Sequence, residues 1–321
     1  MPQAEGGNAR LIYDAEATFG TTPPTPDAKL LPFLTESFGE KRALIRSNII
    51  RSNRNLTKPV RGPKDVSGSI NMELNPFMGI LLKHLLGSAS VSAGPPYTHT
   101  ITIGTLPVSL CIEKGFPDIT TPEYFLYNGC RINRGSFEFN PDGFVPFNID
   151  LLAQKETVGT ATFDATATDL GHLPFEGAEM TLEEGGASIA NVSKVTMELI
   201  NNLDGDNYVI GGGGQRRAIP AGKAVVTGRI TALFEDIVLY TKAINHTESK
   251  LKVILTRGTG VGSAGNEYLD FYVPELVYEK NAPVISGPAG LFVELPFSAY
   301  YDNDGGASSI IATLKNTQAT L

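Results

Sequence analysis

The sequence predicts a mainly β chain built as two tandem copies of one module, in each of which a strand leads into one short α-helix. Three observations lead there. Val66-Ser67-Gly68-Ser69-Ile70 recurs as Val226-Thr227-Gly228-Arg229-Ile230, 160 positions on, and a short apolar helical pattern follows both copies. Val145-Pro146-Phe147-Asn148-Ile149-Asp150 recurs in the same order as Leu295-Pro296-Phe297-Ser298-Ala299-Tyr300, 150 positions on. The 321 residues include 34 glycines and 21 prolines at 41% hydrophobic content, which suits a β-rich chain with many turns and a length of about two domains.

Residues 1–30 read as an arm, because Pro23, Pro24 and Pro26 remove donors and fix the backbone. The first module is assigned to residues 31–157. Residues 33–44 enter the sheet, and a basic loop follows. It contains Arg46, Arg51, Arg54, Lys58, Arg61 and Lys64 with no acid before Asp65. It has no aromatic residue for base stacking, so contact with another protein is favoured over nucleic-acid binding or a merely solvated loop.

Val66, Ile70, Met72 and Leu74 then alternate with Ser67, Ser69, Asn71 and Glu73, the period of a half-buried strand. Asn75-Pro76 is a helix-start pair, Phe77, Met78, Leu81, Leu82 and Leu85 recur at helical spacing, and Gly87 is the stop. Residues 88–96 read as a small-residue loop. Strands are expected at 97–103, 107–114, 124–131, 137–139 and 145–152, with a hairpin turn at Asn140-Pro141-Asp142-Gly143.

Residues 158–174 form the linker and 175–303 the second module. Alternating stretches around Met180, Met197 and Ile230 read as strands, and further strands are expected at 251–256, 268–278 and 291–301. Glu235-Asp236 opens a short helix through Ile237, Val238, Tyr240 and Ile244, whose Ile237 and Val238 are expected to face the core. A second long loop, with Asp204, Asp206, Arg216 and Arg217 around four consecutive glycines, occupies the place of the basic loop. The tail, residues 304–321, either docks as one short strand through Ile310, Ile311 and Leu314 or stays loose.

Charge and chemistry narrow the function. A net charge of −8 argues against a surface that holds DNA tightly. No apolar run has membrane-spanning length, and the first ten residues lack a signal-peptide core, so synthesis in the cytosol is expected. Cys111 and Cys130 then read as two packed thiols in adjacent strands. His84, His99, His172 and His246 stand apart from other ligands, with His84 expected on the helix surface or rim. No nucleophile elbow is present, and the glycine run lacks the Lys-Ser or Lys-Thr of a phosphate cradle. No enzyme, cofactor or metal is expected.

Several stretches resemble the major tail (tail tube) proteins of long-tailed bacteriophages. They include Gly39-Glu40-Lys41-Arg42, Asn53-Arg54-Asn55, Thr57-Lys58-Pro59-Val60-Arg61-Gly62, Val66-Ser67-Gly68-Ser69-Ile70, Ile112-Glu113-Lys114-Gly115-Phe116, Tyr127-Asn128-Gly129-Cys130 and Asp169-Leu170-Gly171-His172. The likeness spans most of residues 18–250. It implies two tandem β-sandwich modules, each flanked by one short α-helix and with a long hairpin reaching to the next ring. The protein would be a virion component, assembled in the host cytoplasm, whose modules form rings of six around a DNA channel. A chain with two modules would reach six as a homotrimer. The implied partners are further copies of the chain, the tape-measure protein and double-stranded DNA held without tight binding, and the tail terminator and tail tip proteins; no membrane is involved.

Four inner strands per module would then make a barrel of 24 strands, roughly 35–50 Å across at the backbone. The wet strand faces are the candidates for its lining: Ser67, Ser69, Asn71, Glu73, Asn148 and Asp150, with Thr227, Thr231, Ser298 and Asp302 in the second module. The alternation leaves open whether that face lines a channel or meets outer solvent, and Arg229 fits a DNA channel only with an acid beside it. The competing reading is a tandem β-sandwich binding or adhesion module; it calls for an exposed aromatic platform, for which Tyr300-Tyr301 is the candidate in a chain without tryptophan.

Overall fold

The computed structural model describes residues 3–285, 287, 290–302 and 308–321. In chain order the first half comprises β1 (Arg10–Glu16), β2 (Lys29–Leu30), β3 (Thr35–Glu36), β4 (Gly39–Ile45), β5 (Val60–Glu73), α1 (Gly79–Leu86), β6 (Gly87–Val91), β7 (Tyr97–Ile103), β8 (Ser109–Phe116), β9 (Glu123–Phe139), β10 (Pro146–Ala153) and β11 (Lys155–Gly159). The second half comprises β12 (Thr181–Glu184), β13 (Ala187–Ser188), β14 (Val192–Ile200), β15 (Val225–Leu233), α2 (Val238–Asn245), β16 (Ser249–Thr256), β17 (Tyr268–Tyr278), β18 (Phe292–Ala299) and β19 (Ile311–Asn316).

Antiparallel pairing orders the strands into one long sheet. From its edge the order is β3/β4, β5, β10, β9, β14, β15, β18 and β17. The first four positions come from the first half of the chain and the last four from the second. They meet where Phe137 of β9 stands opposite Met197 of β14. In each half a hairpin strand precedes the strand that leads into the helix. The glycine of the repeated pentapeptide has the same role twice: a Cβ on Gly68 would lie 2.6 Å from the Ser37 carbonyl oxygen, and one on Gly228 2.3 Å from that of Thr196. Only glycine admits backbone so close.

A second layer covers each half. Over the first it is β2, β1, β8, the front of β9 and β11; over the second it is β12, β16, β17, β19, β7 and β6. Strand β9 belongs to both layers of the first half. It changes partners near Gly129, whose φ of +69° marks a bulge where the strand bends out of one sheet into the other. The predicted strands at 124–131 and 137–139 are therefore one strand of 17 residues.

The core lies between the layers. Val66, Ile70, Met72 and Leu74 are buried on one side of β5, as their alternation predicts, with Phe147, Ile149 and Leu151 beside them. Phe137 stacks 4.7 Å from Phe147 and lies 4.6 Å from Phe271, so apolar packing runs unbroken between the two halves.

Several expectations are corrected. The arm is not loose: Arg10–Glu16 is a strand paired along its whole length with β8. The loop expected at 88–96 contains β6, which pairs with β7. Of the two readings of the tail, docking is the one observed: it forms β19, between β17 and β7. Asn75 caps a turn, accepting from the Phe77 amide at 3.0 Å, and α1 begins later, at Gly79. Cys111 and Cys130 are free and buried, matching the expectation of packed thiols.

The two helices differ. Leu81, Leu82 and Leu85 of α1 are buried, and the chain end covers the helix: Lys83 Nζ donates to the Leu321 carbonyl at 2.8 Å and Asn316 Nδ2 to that of Pro76 at 2.8 Å. Among the described residues, α2 has no such cover. Its Ile237 and Val238, expected to face the core, are 62% and 57% exposed, and Leu239 and Ala243 are buried instead.

His84 is likewise not on the surface, being 5% exposed. Burial, reinforced by Lys83 and Arg131, pushes its imidazole pKa down to about 3. Unfolded, the same ring titrates near 6.5, so below that pH the unfolded chain binds a proton that the folded chain refuses. Stability should fall as pH drops from about 6.5 toward 3, by about 1.4 kcal/mol per unit. Urea unfolding at pH 6.5 and 5 checks this: His84→Gln should remove about 2 kcal/mol of the acid sensitivity, and an unchanged slope would contradict it.

Candidate assembly surfaces

Strand register gives the long sheet two distinct ends. Strands β5 and β15 both start beside the long loops, 46–59 and 201–224, and both finish at the helices. The side chains on the face opposite the core are mostly polar through the middle of the sheet, with exposed Val225, Leu233 and Phe292 at the ends of β15 and β18. Asn148 stands opposite Asn71, Asp150 opposite Ser69, and Thr227 opposite Ser298. Ser67, Glu73 and Thr231 share that face, so nine of the ten lining candidates form one surface, as period-two side-chain direction requires. Asp302 does not join them. It lies past β18 outside any strand, its amide donating to Glu275 at 2.8 Å.

Ion pairs thread this face. Arg134 grips Glu198 through two bonds, Nε–Oε1 at 2.7 Å and Nη2–Oε2 at 2.8 Å, and reaches Asp150 at 3.4 Å. Arg134 thereby joins β9, β10 and β14 across the junction of the two halves, and its hydrogen bonds hold the Glu198 carboxyl below its ordinary pKa. Lys194 pairs with Glu138 at 2.8 Å, and Arg229 with Glu294 at 2.8 Å. Each of these three cations is thus matched by a carboxylate, including the Arg229 that seemed out of place in the sequence. Arg134, Glu138, Lys194, Glu198 and Glu294 were not singled out from sequence. Their alternation was visible, but splitting β9 hid the phase of Arg134 and Glu138.

The basic loop caps the β4–β5 hairpin. Arg46, Arg51, Arg54, Lys58 and Arg61 are exposed and make no ion pair among the described residues, while Lys64 pairs with Glu40 at 3.3 Å. The tip also presents Ile49 and Ile50, the latter 96% exposed. At the opposite end of the sheet, Asp142, Glu176, Glu235 and Asp236 are exposed. One end is therefore basic and the other acidic.

The second loop is a buttress. Tyr208 Oη donates to the Lys64 carbonyl at 3.0 Å, and the Lys64 amide donates to that of Gly214 at 2.8 Å. Arg216, expected to be a loop-surface residue, is 4% exposed. Its guanidinium donates to the carbonyls of Gly205 at 2.6 Å, Val66 at 2.8 Å and Ala153 at 2.9 Å, meets Asp65 at 2.5 Å, and lies over the Tyr208 ring. It clamps the root of the basic hairpin. Asp204, Asp206 and Arg217 remain exposed.

Residues 6–299 match the model of the phage tail tube protein family, nearly the whole chain. The chain belongs to that family. No curated protein matches it. As a tail tube protein it is a structural component of the phage tail that assembles with itself into a tube. Among the described residues no helix is long and apolar enough to cross a membrane, and no cluster of His, Cys, Asp and Glu could hold a metal ion.

Proposed function

We propose that the chain is two fused tube modules, that three copies close into a pseudo-sixfold ring, and that stacked rings form the conduit for DNA ejection. One observation carries this reading: the eight-position sheet divides into two halves with the same strand order, already joined edge to edge inside one chain. Repeating that junction between chains removes the open edges that a sheet must otherwise protect. The polar face then lines the lumen. Its cations are matched by carboxylates, so phosphates find few free partners and DNA and the tape-measure protein can slide. Tail terminator and tail tip proteins would cap the two ends of the tube.

Stacking follows from the opposed ends. A basic hairpin at one end and exposed carboxylates at the other form a head-to-tail contact, the kind that propagates into a filament. Arg51→Glu combined with Arg54→Glu should leave the monomer folded and rings intact but abolish tubes. Negative-stain microscopy and sedimentation check it, and tubes of normal length from the double variant would refute the role of the hairpin. For the wild type, hollow filaments with threefold ring density are the expected result; a monomer at every concentration would overturn the proposal.

A further inference from the structure

The junction inside the chain shows how two chains would meet. At β9–β14, Phe137 stands opposite Met197 and Ser136 opposite Glu198. The outer edges contain the matching positions. Ser37 and Thr196 are equivalent through the glycines beneath their carbonyls, which makes Phe38 the match of Met197 and Gly39 that of Glu198. On the other edge, Phe137 pairs with Phe147 of β10, and Tyr278 pairs with Phe297 of β18. Tyr278 is therefore the match of Phe137, and Val277 that of Ser136.

Among the described residues, neither edge has a further strand partner at these positions. Phe38 turns its backbone outward, where side chains occupy it: Glu36 accepts from the Phe38 amide at 2.9 Å, while Lys114 Nζ at 3.0 Å and Tyr127 Oη at 3.1 Å donate to its carbonyl. Such caps keep an edge from pairing at random. At the far edge the Glu279 amide bonds inward to Pro296, so Tyr278 faces outward, and Glu279 and Lys280 are exposed.

We propose that Val277–Lys280 of one copy pairs antiparallel with Glu36–Gly39 of the next, with Tyr278 opposite Phe38 and Val277 opposite Gly39. This seam rests on the ring reading and specifies its register. Lys280 then stands opposite Glu36, an oppositely charged pair. The Phe38 amide exchanges the Glu36 carboxylate for the Tyr278 carbonyl, and the Tyr278 amide displaces Lys114 and Tyr127 from the Phe38 carbonyl. Each protomer contributes one edge of each kind, so the seam is heterologous and closes only as a ring.

Gly39 and Val277 would form a non-hydrogen-bonded pair with Cα atoms about 4.5 Å apart, within disulfide range. A Cβ added at Gly39 meets nothing within 4 Å, and both native cysteines are buried. The full chain carrying Gly39→Cys and Val277→Cys, assembled and then oxidised, should run as a three-chain species on a non-reducing gel and revert to monomer with reductant. Ser37→Cys with Glu279→Cys tests the same register one pair along, should the first variant fold poorly. Lys41→Cys with Val277→Cys, shifted by two residues, should cross-link at least tenfold less. Preferential cross-linking of the shifted pair, or of none of the three in protein that forms tubes, would overturn the seam while leaving the ring reading intact. Wild-type protein that forms neither rings nor tubes would overturn both.

Discussion

Arg216→Ala should lower the stability of the folded chain by about 3 kcal/mol, because it strips hydrogen bonds from three carbonyls at once. The guanidinium is buried and supplies the Gly205, Val66 and Ala153 oxygens as well as Asp65. A side chain that ends at Cβ takes away all of these bonds at once. Arg216→Lys should recover little, since a single ammonium cannot reproduce a planar fork with several fixed donors. The adjacent and exposed Arg217 is the control, and Arg217→Ala should change stability by less than about 0.5 kcal/mol. Urea unfolding of the three variants checks the ranking; equal effects at 216 and 217 would contradict the clamp. The same change should loosen the hairpin root at Val66, so Arg216→Ala should also shorten tubes at temperatures where the monomer remains folded.

Leu81→Asp is the more severe substitution, with an expected loss above about 5 kcal/mol. Leu81 is fully buried in α1, within the core that β9 and the chain end close over. Removing it forfeits about 2 kcal/mol of burial, and the carboxylate then enters an apolar site without a partner. Soluble expression and circular dichroism should show an unfolded or aggregated chain. Val238→Asp tests the contrast, because that side chain sits on the outer surface of α2 and should leave the monomer within about 0.5 kcal/mol of wild type. A folded Leu81→Asp chain would mean that α1 tolerates a charge at the centre of the molecule.

The difference between those helices shows where sequence reading stops. Both were legible as short helices from their spacing and from Asn75 and Asp236 at their starts. Which one would be buried was not, because the cover on α1 comes from residues 314–321, more than 230 positions along the chain. His84 was misplaced for the same reason. The polar face of the sheet was legible almost residue by residue, since side-chain direction alternates locally. Its ion pairs were not, since Arg134 and Glu198 meet only through the register of strands from opposite halves of the chain.

Local chemistry alone was therefore enough for the β class, the paired strand-and-helix segments, strand β17 to the residue, the buried phase of β5 and the basic loop. Three-dimensional packing alone made strands of Arg10–Glu16 and Gly87–Val91, joined β9 into one element, seated the tail between β17 and β7, and turned Arg216 from a loop cation into a clamp. The division is physical. Alternation, propensity and turn chemistry act within a few residues, whereas strand partnership and burial depend on segments far apart in sequence, whose meeting no short window contains.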